Sequence, residues 1–235
     1  MPQASESFSP DWSSEATAEE RAGLSEKRAR GPVLGLHLAV AYGLIEAGVW
    51  TPWGRLNTAA IVLAGLWILY ATLAGPFSPA ELGIAAPPAK GSGWILLGGI
   101  AMAATLPLLS AVWRHNSGPA HLLPFRQAMQ YLIWALLQQF ILQSFFYVRL
   151  ESLLGGRWAV LAAAGLFAAV HIPSPVLTVG SFVGGLFFCE MFRRYRNIFP
   201  LGLAHALLGL AMAASFSDAV LHHMRVGVGY LRFHP

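Results

Sequence analysis

The chain reads as an all-α protein, a polytopic transmembrane helical bundle of about seven spans at roughly 20 residues each. Three observations predict this. Of 235 residues, 56% are hydrophobic and only 11% are charged. Soluble domains carry roughly 25% charged residues, so most of this surface must face lipid. Mean hydropathy is +0.56, and the apolar residues gather into stretches of span length separated by short polar or Pro- and Gly-rich joints. The net charge of +4 and pI of about 9.6 would raise nucleic acid as a partner in a soluble chain. Here the basic residues sit in short joints, where they set topology, and no nucleic-acid partner is expected. Cys189 is the single cysteine, so no intrachain disulfide can form.

Residues 1–31 are rich in Ser and Glu and end in Lys27, Arg28 and Arg30. They predict a disordered cytosolic tail rather than a signal peptide, because the apolar run starts too late. Residues 32–126 hold the N-terminal transmembrane helices, with apolar stretches at 33–52, 57–75 and 94–113 and a loop over 76–93 containing Pro79, Pro87, Pro88 and Gly91. A core of helices follows over 127–216, with stretches at 127–149, 157–172, 175–192 and 199–216. The middle two are short and joined through Pro173 and Pro175, which predicts a tight hairpin. Residues 217–235 are mixed and read as an interfacial or extramembrane tail. Asp218 and His222 are too few ligands for a convincing metal site.

Lysines and arginines fix the expected orientation. One side collects Arg21, Lys27, Arg28, Arg30, Lys90, Arg149, Arg157, Arg193, Arg194 and Arg196. The other has Arg55, Arg114, Arg126, Arg225 and Arg232. The excess places the N-terminus in the cytoplasm and, with an odd number of spans, the C-terminus outside.

Polar residues at membrane depth are costly and mark either function or helix contacts. The fourth span carries Gln138, Gln139 and Gln143. Gln139 and Gln143 share a face, and Gln138 lies about 100° away. The fifth span ends on Phe167-Ala-Ala-Val-His171, and the seventh carries His205. Neutral imidazole can take a proton, donate a hydrogen bond or bind a metal. Each of these residues has a plainer reading, interhelical hydrogen bonding for the glutamines and a satisfied packing residue for each histidine. Glu190, three and four residues before Arg193 and Arg194, reads as one half of a helix-end ion pair.

These positions resemble the CPBP family of intramembrane endopeptidases (CAAX proteases and bacteriocin-processing enzymes). That family carries Glu-Glu-x-x-x-Arg, Phe-x-x-x-His and His-x-x-x-Asn on successive core helices. Gln138, Gln139 and Gln143 stand where the two glutamates and the arginine would be. Phe167 and His171 match the second motif. His205 opens the third, with Gly209 where Asn is usual. The likeness covers roughly residues 127–216. It implies a CPBP-like core and cleavage of membrane-anchored or lipidated protein substrates in a cell inner membrane, among membrane lipids and with no cofactor. By the family's pattern His171 would be the base, His205 the oxyanion donor, and Gln138 and Gln139 water-positioning groups. An amide takes up no proton near neutral pH, so neither glutamine can be a general base.

Three readings stay open. One is an endopeptidase with an altered site. Another is a catalytically inactive relative that binds or chaperones membrane partners, as the exchange of acids and arginine for neutral amides suggests. The third is a cofactor protein with His171 and His205 as haem or metal ligands.

Overall fold

The computed structural model describes residues 18–85, 89–112 and 124–232. Among these there is no strand. The helices are α1 (Ala18–Trp50), α2 (Gly54–Leu73), α3 (Ala89–Val112), α4 (Phe125–Gln139), α5 (Val148–Leu154), α6 (Gly156–Ala169), α7 (Pro175–Tyr195), α8 (Ile198–Ser215), and the short α9 (Asp218–Leu221) and α10 (Gly227–Leu231). A π-helical stretch, Phe140–Tyr147, joins α4 to α5 without a break, and a 3₁₀ turn spans His222–Met224.

Six helical segments are long and apolar enough to cross a membrane, and Gly156–Ala169 is a shorter apolar helix. The expected bundle is present, with the fifth stretch falling short of span length. Leu66, Leu73, Leu108 and Val112 point outward on its surface, as a bilayer requires. The chain is a multi-pass helical membrane protein. α1 is helical from Ala18, within the stretch 1–31 expected as a tail. Residues 1–17, 86–88 (with Pro87 and Pro88), 113–123 (with Arg114) and 233–235 lie outside the described residues.

The two ends of the bundle differ in charge. At one end Gly31 of α1 meets Leu153, and Gly91 of α3 meets Tyr195. The loop after α2 also docks there, with Ile198 N–H donating to Gly83 O. Arg30, Arg157, Arg193, Arg194 and Arg196 share this basic end. In its loop the Ser78 backbone N–H and hydroxyl bond the Glu81 carboxylate and hold it below its ordinary pKa. At the opposite end Gly227 N–H donates to Ile172 O, and Arg232 Nη1 reaches Pro52 O at 3.1 Å. The expected interfacial tail, over its described residues, is therefore a strap tied across that end.

Small residues let the core helices come close, which is how membrane helices gain packing energy without a hydrophobic drive between them. α4 runs antiparallel to α8, Leu136 facing Gly202 and Tyr131 facing Gly209. A Cβ on Gly202 would sit 2.3 Å from Leu136 Cδ2 and 3.1 Å from its Cα. α3 lies on the other side of α8, where Gly99 meets Ala204, and α6 packs on α7 through Ala164 and Gly185.

Arg149, counted above among the topology-setting charges, is wholly buried. Its Nη1 donates to Phe145 O at 3.0 Å and its Nη2 to Ala71 O in the last turn of α2 at 2.6 Å. The guanidinium lies over the Phe145 ring, 4.0 Å from its centroid, and its Nε has no partner.

Candidate functional site

The π-helical stretch is where the fourth span meets its neighbours. Such stretches widen a helix locally and recur at functional sites. Six of its residues, Leu142 to Tyr147, are buried. Ser144 Oγ donates to Leu82 O at 2.6 Å, pinning the loop after α2 against the core. Gln139 sits at its threshold and Gln143 one turn in. Both have no exposed surface.

A chain of neutral groups starts there. Gln143 Nε2 donates to Gln139 Oε1 at 3.1 Å. With its carbonyl so engaged, Gln139 turns its amide nitrogen to His205 Nδ1 at 3.2 Å. The Nδ1 must then accept, which places the His205 proton on Nε2. Gln143 Oε1 has no hydrogen-bond partner. Burying two amides is tolerable only because most of their polar atoms are paired.

His171 follows α6, one turn beyond Phe167. Its Nδ1 lies 2.7 Å from Phe167 O. A carbonyl only accepts, so Nδ1 carries the proton and Nε2 keeps its lone pair. The Phe167 ring packs edge-on against both imidazoles, at 4.9 Å from His171 and 5.8 Å from His205. The two histidines are thus joined through one aromatic ring and held in opposite tautomers.

Both line a cavity of about 610 Å³. Its walls come from α1, α2, α4, the π-helical stretch, α6, α7 and α8, and Met224 and Val226 of the C-terminal strap also line it. The lining is overwhelmingly apolar. Its polar side chains include Tyr42, Tyr131, Gln138, Ser181 and the two histidines.

The structure therefore gathers Gln138, Gln139, Gln143, Phe167, His171, His205 and Gly209 into one region. Gln138 is on the cavity wall, whereas Gln139 and Gln143 stand behind His205. Glu190 is elsewhere. It pairs with Arg193 at 2.8 Å and Arg194 at 2.6 Å at the basic end, a helix-end ion pair. His223 pairs with Asp218 at 2.8 Å on the strap. Among the described residues no group of three or more His, Cys, Asp or Glu is placed to hold a metal ion. Sequence reasoning missed Tyr131, which lines the cavity and packs on Gly209. A tyrosine two turns before Gln138 in an apolar span was its available signal.

Residues 120–211 match the family model described as type II CAAX prenyl endopeptidase Rce1-like. This segment is similar to that family. The match covers the π-helical stretch, both histidines and Gly209, and it agrees with the CPBP resemblance of the same residues. No curated protein and no solved structure matches the chain. The Rce1-like segment departs from the CPBP motif pattern in having an interior of amides and imidazoles, with no carboxylate in the Gln143–Gln139–His205 chain.

Proposed function

We propose that the chain is an intramembrane endopeptidase acting on membrane-anchored or lipidated protein substrates, working without the glutamate pair. The observation that carries this reading is the two imidazoles in opposite tautomers on one apolar cavity. His171 Nε2 offers a lone pair to a water, and His205 Nε2–H offers a donor to the developing oxyanion. In the proposed step, His171 takes a proton from water as the hydroxide adds to the peptide carbonyl. His205 holds the oxyanion, and His171 returns the proton to the leaving amine. Gln138, on the cavity wall, orients the water. Gln139 and Gln143 are positioning residues that hold the His205 tautomer.

The test compares protein termini in membranes of the native host across three strains: deletion, deletion plus wild type, and deletion plus the His171→Ala, His205→Ala double variant. New termini are expected with the wild type only. Identical termini in all three would end the peptidase reading. It would favour the second one, a non-catalytic relative that holds a lipidated or membrane-spanning segment in the cavity. The uncharged Gln143–Gln139–His205 chain is the observation on that side.

We also propose insertion in a bacterial inner membrane with the basic end in the cytoplasm, supported by the arginines gathered there. Cys189 is wholly buried, so engineered surface cysteines can be labelled over a dark background. Arg225→Cys should react with an impermeant maleimide in intact spheroplasts, and Arg157→Cys only after lysis. The reverse pattern would invert the orientation.

A further inference from the structure

We infer that Tyr131 is a second hydrogen-bond donor of the site, its phenol standing in for the missing side chain at position 209. This rests on the peptidase reading and assigns a residue that the motifs do not include.

The argument starts from Gly209. A Cβ built there would fall 1.9 Å from the Tyr131 hydroxyl oxygen and 2.5 Å from Cζ. No side chain at 209 can coexist with Tyr131 where it lies. The phenol has taken the volume into which a longer residue at 209 would project, and glycine is the residue that admits it. Gly209 is one turn beyond His205 on α8, about 6 Å along the axis and on the same face. Tyr131 and His205 both line the cavity. No hydrogen bond ties the hydroxyl to another described residue, so its proton is free to meet a ligand.

Two donors so spaced can share one acceptor lying between them. The acceptor that fits is the carbonyl oxygen of a scissile peptide bond, which gains negative charge as water adds. His205 Nε2–H approaches it from one turn of α8, and the Tyr131 O–H from α4 at the next. Both donors are neutral, which suits an apolar cavity where a resident charge would be expensive. Preorganised donors of this kind act on the rate constant rather than on substrate capture.

The decisive variant is Tyr131→Phe, which removes the hydroxyl and keeps the ring packed on Gly209. The reading is the rate at which His171-dependent termini appear after induction, normalised to the amount of protein in the membrane, across a range of substrate expression levels. A loss of roughly 100-fold in the maximal rate is expected, with the half-saturating level little changed. The Tyr131→Leu, Gly209→Asn pair, which clears the phenol and returns an amide donor at 209, should recover part of that loss, whereas Tyr131→Leu alone should not. Thermal melts of Tyr131→Phe in detergent should match the wild type. His171-dependent products formed by Tyr131→Phe at the wild-type maximal rate would overturn this inference alone. Absence of any His171-dependent product from the wild type would overturn the peptidase reading, and this inference with it.

Discussion

On the proposed peptidase reading, Gln139→Glu is expected to slow cleavage by roughly 100-fold rather than supply a working acid. Gln139 now donates to His205 Nδ1 and accepts from Gln143. A carboxylate at 139 can only accept. It would keep the bond from Gln143 and draw the imidazole proton onto Nδ1. His205 Nε2 would then turn a lone pair to the cavity, and the oxyanion would meet an acceptor where it needs a donor. The new charge would have no exposed surface, at a position that is 0% exposed in the wild type, so the variant should also be less stable. Nitrogen NMR of histidine-labelled protein reports the reversal without any substrate, since the protonated nitrogen of His205 should move from Nε2 to Nδ1. A rate at or above wild type would show that the site had been waiting for a base, and the donor role of His205 would have to be abandoned.

Arg149→Ala should cost about 3–5 kcal/mol of stability, read as a lowered unfolding midpoint in mixed detergent micelles. The truncation removes a wholly buried side chain, opens a void beside Phe145, and leaves Ala71 O without its donor. Against these losses stands one gain, because a guanidinium without a carboxylate partner no longer has to be desolvated. Arg149→Met separates the effects, filling the space while discarding the charge. It should fall well short of the alanine loss. If both variants unfold with the wild type, the contacts to Phe145 and Ala71 contribute nothing net, and the loop after α2 is held by Ser144 Oγ on Leu82 O and Ile198 N–H on Gly83 O.

How far the sequence carried is clear from these two residues. The glutamines stood out because an amide in an apolar span is costly wherever it lies, and spacing alone put Gln139 and Gln143 on one face. Their convergence with His205 and His171 was a guess from family order until the helices were seen to pack. Arg149 was misplaced for a related reason. An arginine at the edge of an apolar stretch looks like a topology signal, and only the docking of α2 and of Phe77 encloses it. Apart from the start of α1, which begins at Ala18 well before the stretch at 33–52, the apolar stretches located the helices to within a turn or so, since length and hydropathy are local properties. The π-helical stretch was invisible, because it depends on which neighbours take up Leu142, Ser144 and Tyr147. Tyr131 was invisible too, because its meaning lies in the absence of a side chain on another helix.

The uncharged Gln143–Gln139–His205 chain also bears on how such a protein is made. Each helix must pass from the insertion machinery into lipid before its partners are present. A span bearing two glutamates and an arginine would carry into the bilayer charges whose neutralising neighbours had yet to be synthesised, at a cost of about 2.5–3.5 kcal/mol for each ion near the centre. With Gln138, Gln139 and Gln143 in their place, these three positions defer only hydrogen bonds to a later helix, and the buried Arg149 finds its acceptors in its own helix and in the earlier α2. Biogenesis of this chain should therefore be forgiving of the interval between the arrival of α4 and that of α8.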